Sequence, residues 1–396
     1  MSGTILVLNA GSSSIKFQLF ATAAGEGVER RIKGEVEGIG SRPHLTAESK
    51  DGKSLVDRTW GPAELGDAAA ALDQVLDWLT RELRGEMPAA VGHRVVHGGT
   101  RFTRPTLVDD AVLAGIEALV SLAPLHQPNN LAPIQILRRR FPRLPQVACF
   151  DTAFHRGHPP VADHFAIPEA LYEEGVRRYG FHGISYEYIA GALTTVAPAL
   201  AAGRVIVAHL GNGASMCALK AGRSIDSTMA FTALDGLPMG TRAGQLDPGV
   251  LLYLVAQKGW DAARLERFLY YECGLKGLSG LSNDMRDLLA VDAPAARLAV
   301  DYFVYRIIRE AGGLAAILGG LDGIVFTAGI GERSAEIRSR VCAGLAWLGL
   351  DLDESANSRH GPEITRPGSR VQAWAIPTDE ERMIALHTRK VLGGSP

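Results

Sequence analysis

Two arginines occupy glycine-bounded stretches that can present a fixed positive charge. Arg94 lies in Val91-Gly92-His93-Arg94-Val95-Val96-His97-Gly98-Gly99, and Arg242 closes Met239-Gly240-Thr241-Arg242 beside a flexible glycine. A planar guanidinium fork matches a carboxylate or a transferring phosphoryl group, so both positions point to anion chemistry. Arg94 sits between apolar neighbours and must find an anionic partner or solvent; a structural salt bridge is the plain alternative. Asp151 follows the apolar run Gln146-Val147-Ala148-Cys149-Phe150. That places it at the C-terminal edge of a short strand, where α/β sheets bind ligands, although an Asp there also serves to cap the next segment. His182 stands with Phe181 between Gly180 and Gly183, in a loop of the kind that carries function on a rigid scaffold.

Three glycine-rich turns offer backbone N–H groups to phosphate. In His209-Leu210-Gly211-Asn212-Gly213 two glycines flank an Asn, and their amides can point outward together; a plain β-hairpin is the alternative. Asn9-Ala10-Gly11-Ser12-Ser13-Ser14 repeats the arrangement, with Lys16 just past the turn to meet a bound phosphate. Gly329-Ile330-Gly331-Glu332, after the apolar run 323–328, reads as strand, Gly-x-Gly turn and helix N-terminus. Ser334 stands where the dinucleotide fingerprint has its third glycine, which favours a mononucleotide over NAD. Ser282-Asn283-Asp284-Met285-Arg286-Asp287 reads as a helix start. Its Asp284 and Arg286 either contact a base or ribose or form a cap and a surface ion pair. Gly52-Lys53-Ser54 is no P-loop, because Ala47 occupies the position that must be glycine. His93 with His97, and His155 with His158, lack the further ligands that a metal set requires.

The elements that must position these groups follow from the same chain. Apolar runs at 4–8 and 15–20 flank the first turn, and runs at 205–208 and 214–219 flank the second. LVLNAGSSSIKFQLF and IVAHLGNGASMCALK thus echo one another half a chain apart, which suggests a duplicated α/β unit around a central cleft. Residues 30–60 alternate as a β meander. Leu72, Val75, Leu76, Leu79 and Leu83 predict an amphipathic helix over 67–83, and further helices are expected over 110–122 and 295–318. Thr378 and Glu381 match a capping box, which alone accounts for the acids at 379–381.

A chain of 396 residues is long for one core and implies two domains. Hydrophobic residues at 46% and charged ones at 21% describe a globular protein, and a net charge of −2 argues against a nucleic-acid partner. Any phosphate binding must therefore be local. The four cysteines are far apart, with no C-x-x-C pair, as expected of reduced thiols in a cytoplasmic protein. No basic n-region precedes an apolar core and no 18-residue apolar window exists, so neither a membrane span nor a signal peptide is expected.

Taken together, LVLNAGSSSIKFQLF, GHRVVHGG, LAPLH, CFDTAFH, YGFHGIS, AHLGNGAS, MGTRAGQLDPG, LSNDMRDL, FTAGIGER and PTDEE resemble the acetate kinase family in order along nearly the whole chain. The resemblance implies two RNase H-like, actin-like α/β domains with nucleotide in a cleft, over 1–152 plus about 376–396 and over 153–375. It implies reversible transfer of the γ-phosphoryl of ATP to acetate, giving ADP and acetyl phosphate, with Mg²⁺ or alternatively Mn²⁺, in a homodimer. By position it places Asn9 and Glu380 at the metal, Lys16 near phosphate, and Arg94 on the acyl carboxylate. Asp151 becomes an acid–base or orienting carboxylate, and His182 and Arg242 stabilise the transition state. Val96, Leu125, Phe181 and Ala233 form the acyl pocket. His209, Leu210, Gly211, Asn212, Gly213, Asp284, Met285, Arg286, Gly329, Ile330, Gly331, Glu332 and Arg333 hold the nucleotide. These roles suit the chemistry: a carboxylate attacking a polyanion needs cations that neutralise both partners. Acetate carries no proton to remove at pH 7, so Asp151 is expected to position Mg²⁺ or an arginine, or to handle protons in the reverse reaction.

Three departures stand out. Ala233 replaces a proline common in the family and leaves room for a longer acid, so a propionate or butyrate kinase is the alternative. Arg333 and Asp379 each replace an asparagine and bear on nucleotide and metal affinity. An actin-like ATP switch for assembly or chaperoning is the alternative of another class; it has no need of two arginines for a small acid.

Overall fold

The computed structural model describes residues 3–11, 13–22, 27–61, 64–124 and 126–393. The expectations for Ser12 and Leu125 lie outside these residues. The chain divides into two units, residues 1–154 with 379–396, and residues 155–378.

The first unit is built on an eight-stranded sheet. Its strands are β1 (Thr4–Ala10), β2 (Ile15–Thr22), β3 (Val28–Glu37), β4 (His44–Ser49), β5 (Ser54–Thr59), β6 (Ala90–Val95), β7 (Thr106–Leu107) and β8 (Gln146–Phe150), in the order β5-β4-β3-β2-β1-β6-β8-β7. The hairpin of β1 and β2 pairs Asn9 with Lys16, and Gly11 N–H closes the turn on the Ser14 carbonyl at 2.8 Å. β6 and β8 join β1 in parallel, which brings Arg94 beside Cys149 and leaves Asp151 just beyond the strand end. The helix Ala68–Glu82 buries Leu72, Val75, Leu76 and Leu79 and is capped by Asp67, whose carboxylate accepts from Ala70 N–H. The predicted helix over 110–122 is shorter: the α-helix is Asp110–Glu117, and a separate 3₁₀ turn covers Val120–Leu122.

The helix Glu380–Gly393 completes this unit and buries Ile384, Ala385 and Thr388. Gly92 on β6 lies so close to Ile384 and Thr388 that a Cβ there would overlap both. The predicted Thr378–Glu381 capping box does not form. Asp379 caps the helix by accepting from Arg382 N–H at 3.0 Å, and Glu381 turns instead to Asn9 and Gln18. A residue already at the N-cap position with an acceptor side chain outcompetes the Thr one step upstream.

The second unit carries β9 (Arg204–Leu210), β10 (Ala214–Lys220), β11 (Arg223–Ser227), β12 (Gly323–Thr327) and β13 (Gln372–Ala375), in the order β11-β10-β9-β12-β13. β12 is buried along its whole length and is flanked by parallel neighbours, as a central parallel strand must be. The sequence of pairings from β11 to β13 is antiparallel, antiparallel, parallel, parallel. β3-β2-β1-β6-β8 in the first unit runs through the same sequence. The echo between the two glycine hairpins is therefore an echo of whole sheets. The long helix Pro294–Leu318 starts with Pro at its first turn and ends at left-handed Gly319. Among the described residues no helix is long and apolar enough to cross a membrane.

Candidate functional site

In the first unit, the polar cluster begins at Asp151. Arg94 donates to its Oδ2 from Nε at 3.1 Å and from Nη2 at 2.7 Å, while Nη1 reaches Asn9 Oδ1 at 3.4 Å. Asn9 in turn donates to Glu381, which also accepts from Gln18. Glu380 Oε2 stands 3.9 Å from Arg94 Nε. Burial disfavours the Arg94 cation, but Asp151 and Glu380 more than offset that and hold its pKa above the usual value. For Glu380 the balance falls the other way. Burial pushes its carboxyl up to about 7; Arg94 and Lys16 pull it down, and Asp151 and Glu381 push it further up. Lys16 is exposed on β2 and belongs to this cluster's unit rather than to that of the other nucleotide candidates. Val96 is buried, its N–H held by Asn130 Oδ1 at 2.9 Å.

Among the described residues no three His, Cys, Asp or Glu side chains form a ready-made metal cage. The oxygen donors of Asn9, Asp151 and Glu380 are nevertheless those that a hard divalent cation takes, and a bound cation would favour the ionised form of the Glu380 carboxyl that burial disfavours.

In the second unit the glycine hairpin joins a cleft of about 560 Å³. Gly211 and Asn212 line it together with Asp284, Met285, Arg286, Gly329, Ile330 and Arg333, all predicted at the nucleotide, and with Asn283, Leu289 and Ser334, which were not. The volume is in the range of small-molecule and cofactor sites. Asn283 is found only through the fold: its Nδ2 donates to Asn212 Oδ1 at 3.3 Å across a long chain separation. Asp284 and Arg286 realise the cap-and-ion-pair alternative. Asp284 accepts from Arg286 N–H as the cap of Met285–Ala290 and pairs with its guanidinium at 2.5 Å, which holds the Asp284 carboxyl below its usual range.

Other members of the nucleotide set sit differently from expectation. Gly211 N–H is spent inside its own turn on the Gly213 carbonyl at 3.0 Å, so the hairpin does not present every amide outward. Leu210 is fully buried. Gly329 and Gly331 lie within the helix Ala328–Arg333, not in a turn before it, because the chain enters the helix directly from β12 through Ala328 at φ 63°. The Glu332 carboxylate folds back on that helix and accepts from Ala328 N–H at 2.9 Å and Thr378 N–H at 3.0 Å. Gly240 is not a flexible neighbour of Arg242. A Cβ there would overlap Oδ1 of Asn212, and its N–H donates to the Asn212 carbonyl at 3.0 Å, so it is glycine to admit the hairpin tip.

Beside the hairpin, Arg242, His182 and His209 gather around Gly213. A Cβ on Gly213 would lie 2.9 Å from Arg242 Nη2 and 3.4 Å from His182 Nε2. Arg242 Nη1 donates to the Ala233 carbonyl at 2.7 Å. The His182 ring stacks on His209 at 4.2 Å, with Nδ1 on Ser215 Oγ at 2.7 Å; Ser215 is also bonded to the Tyr186 hydroxyl. His182 adopts the left-handed conformation, φ 70°, as it opens the helix Gly183–Val196. Phe181 is buried and Ala233 is partly exposed.

Two sheets of one pairing pattern, one with Arg94 near a strand end and the other with a backbone-edged cleft and, elsewhere beside its glycine hairpin, Arg242, suit an α/β phosphotransferase class. Solved structures share the fold. A propionate kinase from Francisella tularensis superposes with a TM-score of 0.91 at 36% identity, over 99% of this chain and 100% of that one. The acetate kinase of Porphyromonas gingivalis gives 0.86 at 35%, over 98% and 100%. In sequence, the chain is 62% identical to an acetate kinase of Nitrobacter hamburgensis over 98% of this chain and 96% of the relative. The acetokinase family profile matches residues 4–386, and the chain belongs to that family.

Proposed function

We propose that the protein is an acetate kinase, which transfers the γ-phosphoryl of ATP to acetate and back by direct in-line displacement. Membership of the acetokinase family carries this reading. The geometry supports a division of labour. Arg94, oriented by Asp151, keeps a second N–H on each Nη with which to hold the acyl carboxylate. Asp151 accepts from Arg94 and acts as its orienter, not as a base. Arg242, braced by the Ala233 carbonyl, and His182, braced by Ser215, supply positive charge and hydrogen bonds to the transferring phosphoryl group. The 560 Å³ cleft takes the nucleotide, with Gly211, Asn212, Gly329, Ile330 and Arg333 at its edge. His209, Leu210, Gly213, Gly331 and Glu332 shape that edge from behind. Lys16 supplies a further cation for phosphate, and Val96, Phe181 and Ala233 contact the acyl chain.

Asn9 and Glu380 would hold magnesium, which when bound would supply charge neutralisation on the phosphates. A cytoplasmic setting suits four free, buried cysteines. The family resemblance implies a homodimer. The helix Pro248–Lys258, which buries none of its side chains and exposes Leu252, Tyr253 and Val255, is the surface we assign to the second copy.

Steady-state kinetics with acids of two to four carbons, trapping the acyl phosphate as hydroxamate, test the reading. Acetate is expected to give the highest kcat/KM. A clear preference for propionate would favour the second reading, to which Ala233 and the propionate kinase neighbour lend weight. ATP hydrolysis indifferent to every acid would instead support an actin-like switch.

A further inference from the structure

Behind the loop that carries His182 lies a buried polar chain with no role so far. His155 is fully buried, and its two ring nitrogens face different partners. Nδ1 is 2.8 Å from Ser224 Oγ, and Nε2 is 3.1 Å from the Phe181 carbonyl. Ser224 is also bonded to His158 Nε2 at 2.7 Å and to the Cys217 thiol at 3.1 Å. His158 Nδ1 faces Asp163 Oδ1 at 3.6 Å.

Hydrogen-bond direction along this chain is set by its last member. A carbonyl oxygen only accepts, so His155 Nε2 must carry the proton that bonds Phe181. Burial holds the His155 pKa well below the ordinary value, so the ring is neutral and Nδ1 is an acceptor. Ser224 must then give its hydroxyl proton to Nδ1 and accept from His158 Nε2, with the Cys217 thiol against it at 3.1 Å. The Nε2-protonated tautomer of His155 fits both of its ring-nitrogen contacts.

The carbonyl that this ring holds belongs to the residue immediately before His182. Gly180, one residue earlier still, has φ 79° and lies flat against the same ring; a Cβ there would come within 2.6 Å of His155 Cγ. The Tyr186 ring meets His155 edge-on at 5.7 Å, and its hydroxyl is bonded to Ser215, the partner of His182 Nδ1. His155 therefore touches the His182 loop through Gly180 and Phe181 and touches its hydroxyl brace through Tyr186. We propose that His155, held in one tautomer by the Phe181 carbonyl and anchored at Nδ1 by Ser224, is a positioning residue that fixes the left-handed His182 in its reactive orientation. The inference rests on the reading of His182 as a phosphoryl-contacting group.

Three substitutions and a spectroscopic readout test it. His155→Gln can still offer an N–H to the Phe181 carbonyl, His155→Leu cannot, and Ser224→Ala removes the hydroxyl that anchors Nδ1 while nearly conserving volume. In ¹⁵N-histidine spectra of the full chain, His155→Leu and Ser224→Ala should shift the His182 ring resonances, and His155→Gln should leave them close to the parent. Loss of position should lower kcat by about tenfold to a hundredfold with ATP KM unchanged, and glutamine should restore most of it. Unmoved His182 resonances in Ser224→Ala, or equal effects of leucine and glutamine, would overturn the inference; Ser224→Ala decides even if the leucine variant does not fold. Shifted resonances with an undiminished kcat would support the positioning and overturn the catalytic reading of His182.

Discussion

Arg94 grips Asp151 from two nitrogens, Nε reaching both carboxylate oxygens and Nη2 donating to Oδ2 at 2.7 Å, while Asp151 itself is only 2% exposed. The pair is lopsided, because the arginine remains about a fifth exposed and the carboxylate has almost no water. Removing the arginine therefore costs more than the lost contact, since it strands a buried anion. Arg94→Met is expected to destabilise the protein by about 3 to 5 kcal/mol, and adding Asp151→Asn should recover much of that loss. Thermal and urea denaturation of the single and double variants provide the check.

Arg242 is braced by the Ala233 carbonyl, which orients its guanidinium beside Gly213. Arg242→Ala should lower kcat by about 10³ or more, and lysine should recover little for want of the planar fork. A change confined to acetate KM would make it a binding group only.

Gly240 admits the tip of the glycine hairpin. Gly240→Ala should push Asn212 away from the cleft at a cost of about 1 to 3 kcal/mol of packing. ATP KM should rise roughly in proportion, by about tenfold, while acetate KM holds. Equal effects on both substrates would show a general loss of structure.

His93 is buried on β6, bonded to Gln146 at 2.7 Å, and burial lowers its pKa to about 4. The unfolded chain protonates this ring near 6.5 and the folded chain does not. Stability from this group is thus complete above pH 6.5 and falls as pH drops toward 4, by about 1.4 kcal/mol per unit across the window. His93→Gln should flatten that acid slope in denaturation curves measured from pH 7 to pH 4, relative to the parent.

The exposed apolar helix bears on assembly. Leu252 and Tyr253 are 70% and 52% exposed, and replacing both with glutamate should leave a monomer in light scattering. An unchanged dimer would move the interface elsewhere.

What the sequence made legible was whatever the chain encodes within a few residues. Both hairpins, the Asp151 strand edge, the helix at 68–82 and the Asp284 cap follow from local period and turn chemistry. Partnerships across the chain were not legible. Arg94 finds Asp151 at 57 residues' remove and Glu381 finds Asn9 at 372, and no local rule links such positions. The same reason misread Thr378 and Gly240. Each has a tempting local role, yet its surroundings come from a distant segment: the Glu332 carboxylate for Thr378 and Asn212 for Gly240.

The helix Glu380–Gly393 packs on β6 of the first unit but is translated after the whole of the second. On the ribosome, then, the sheet that emerges first keeps its Gly92 face uncovered until residues 380–393 have been made. Its completion cannot follow the usual N-to-C order of domain maturation. The helix brings Glu380 and Glu381 with it, so the acidic groups are delivered by the same event that seals the core.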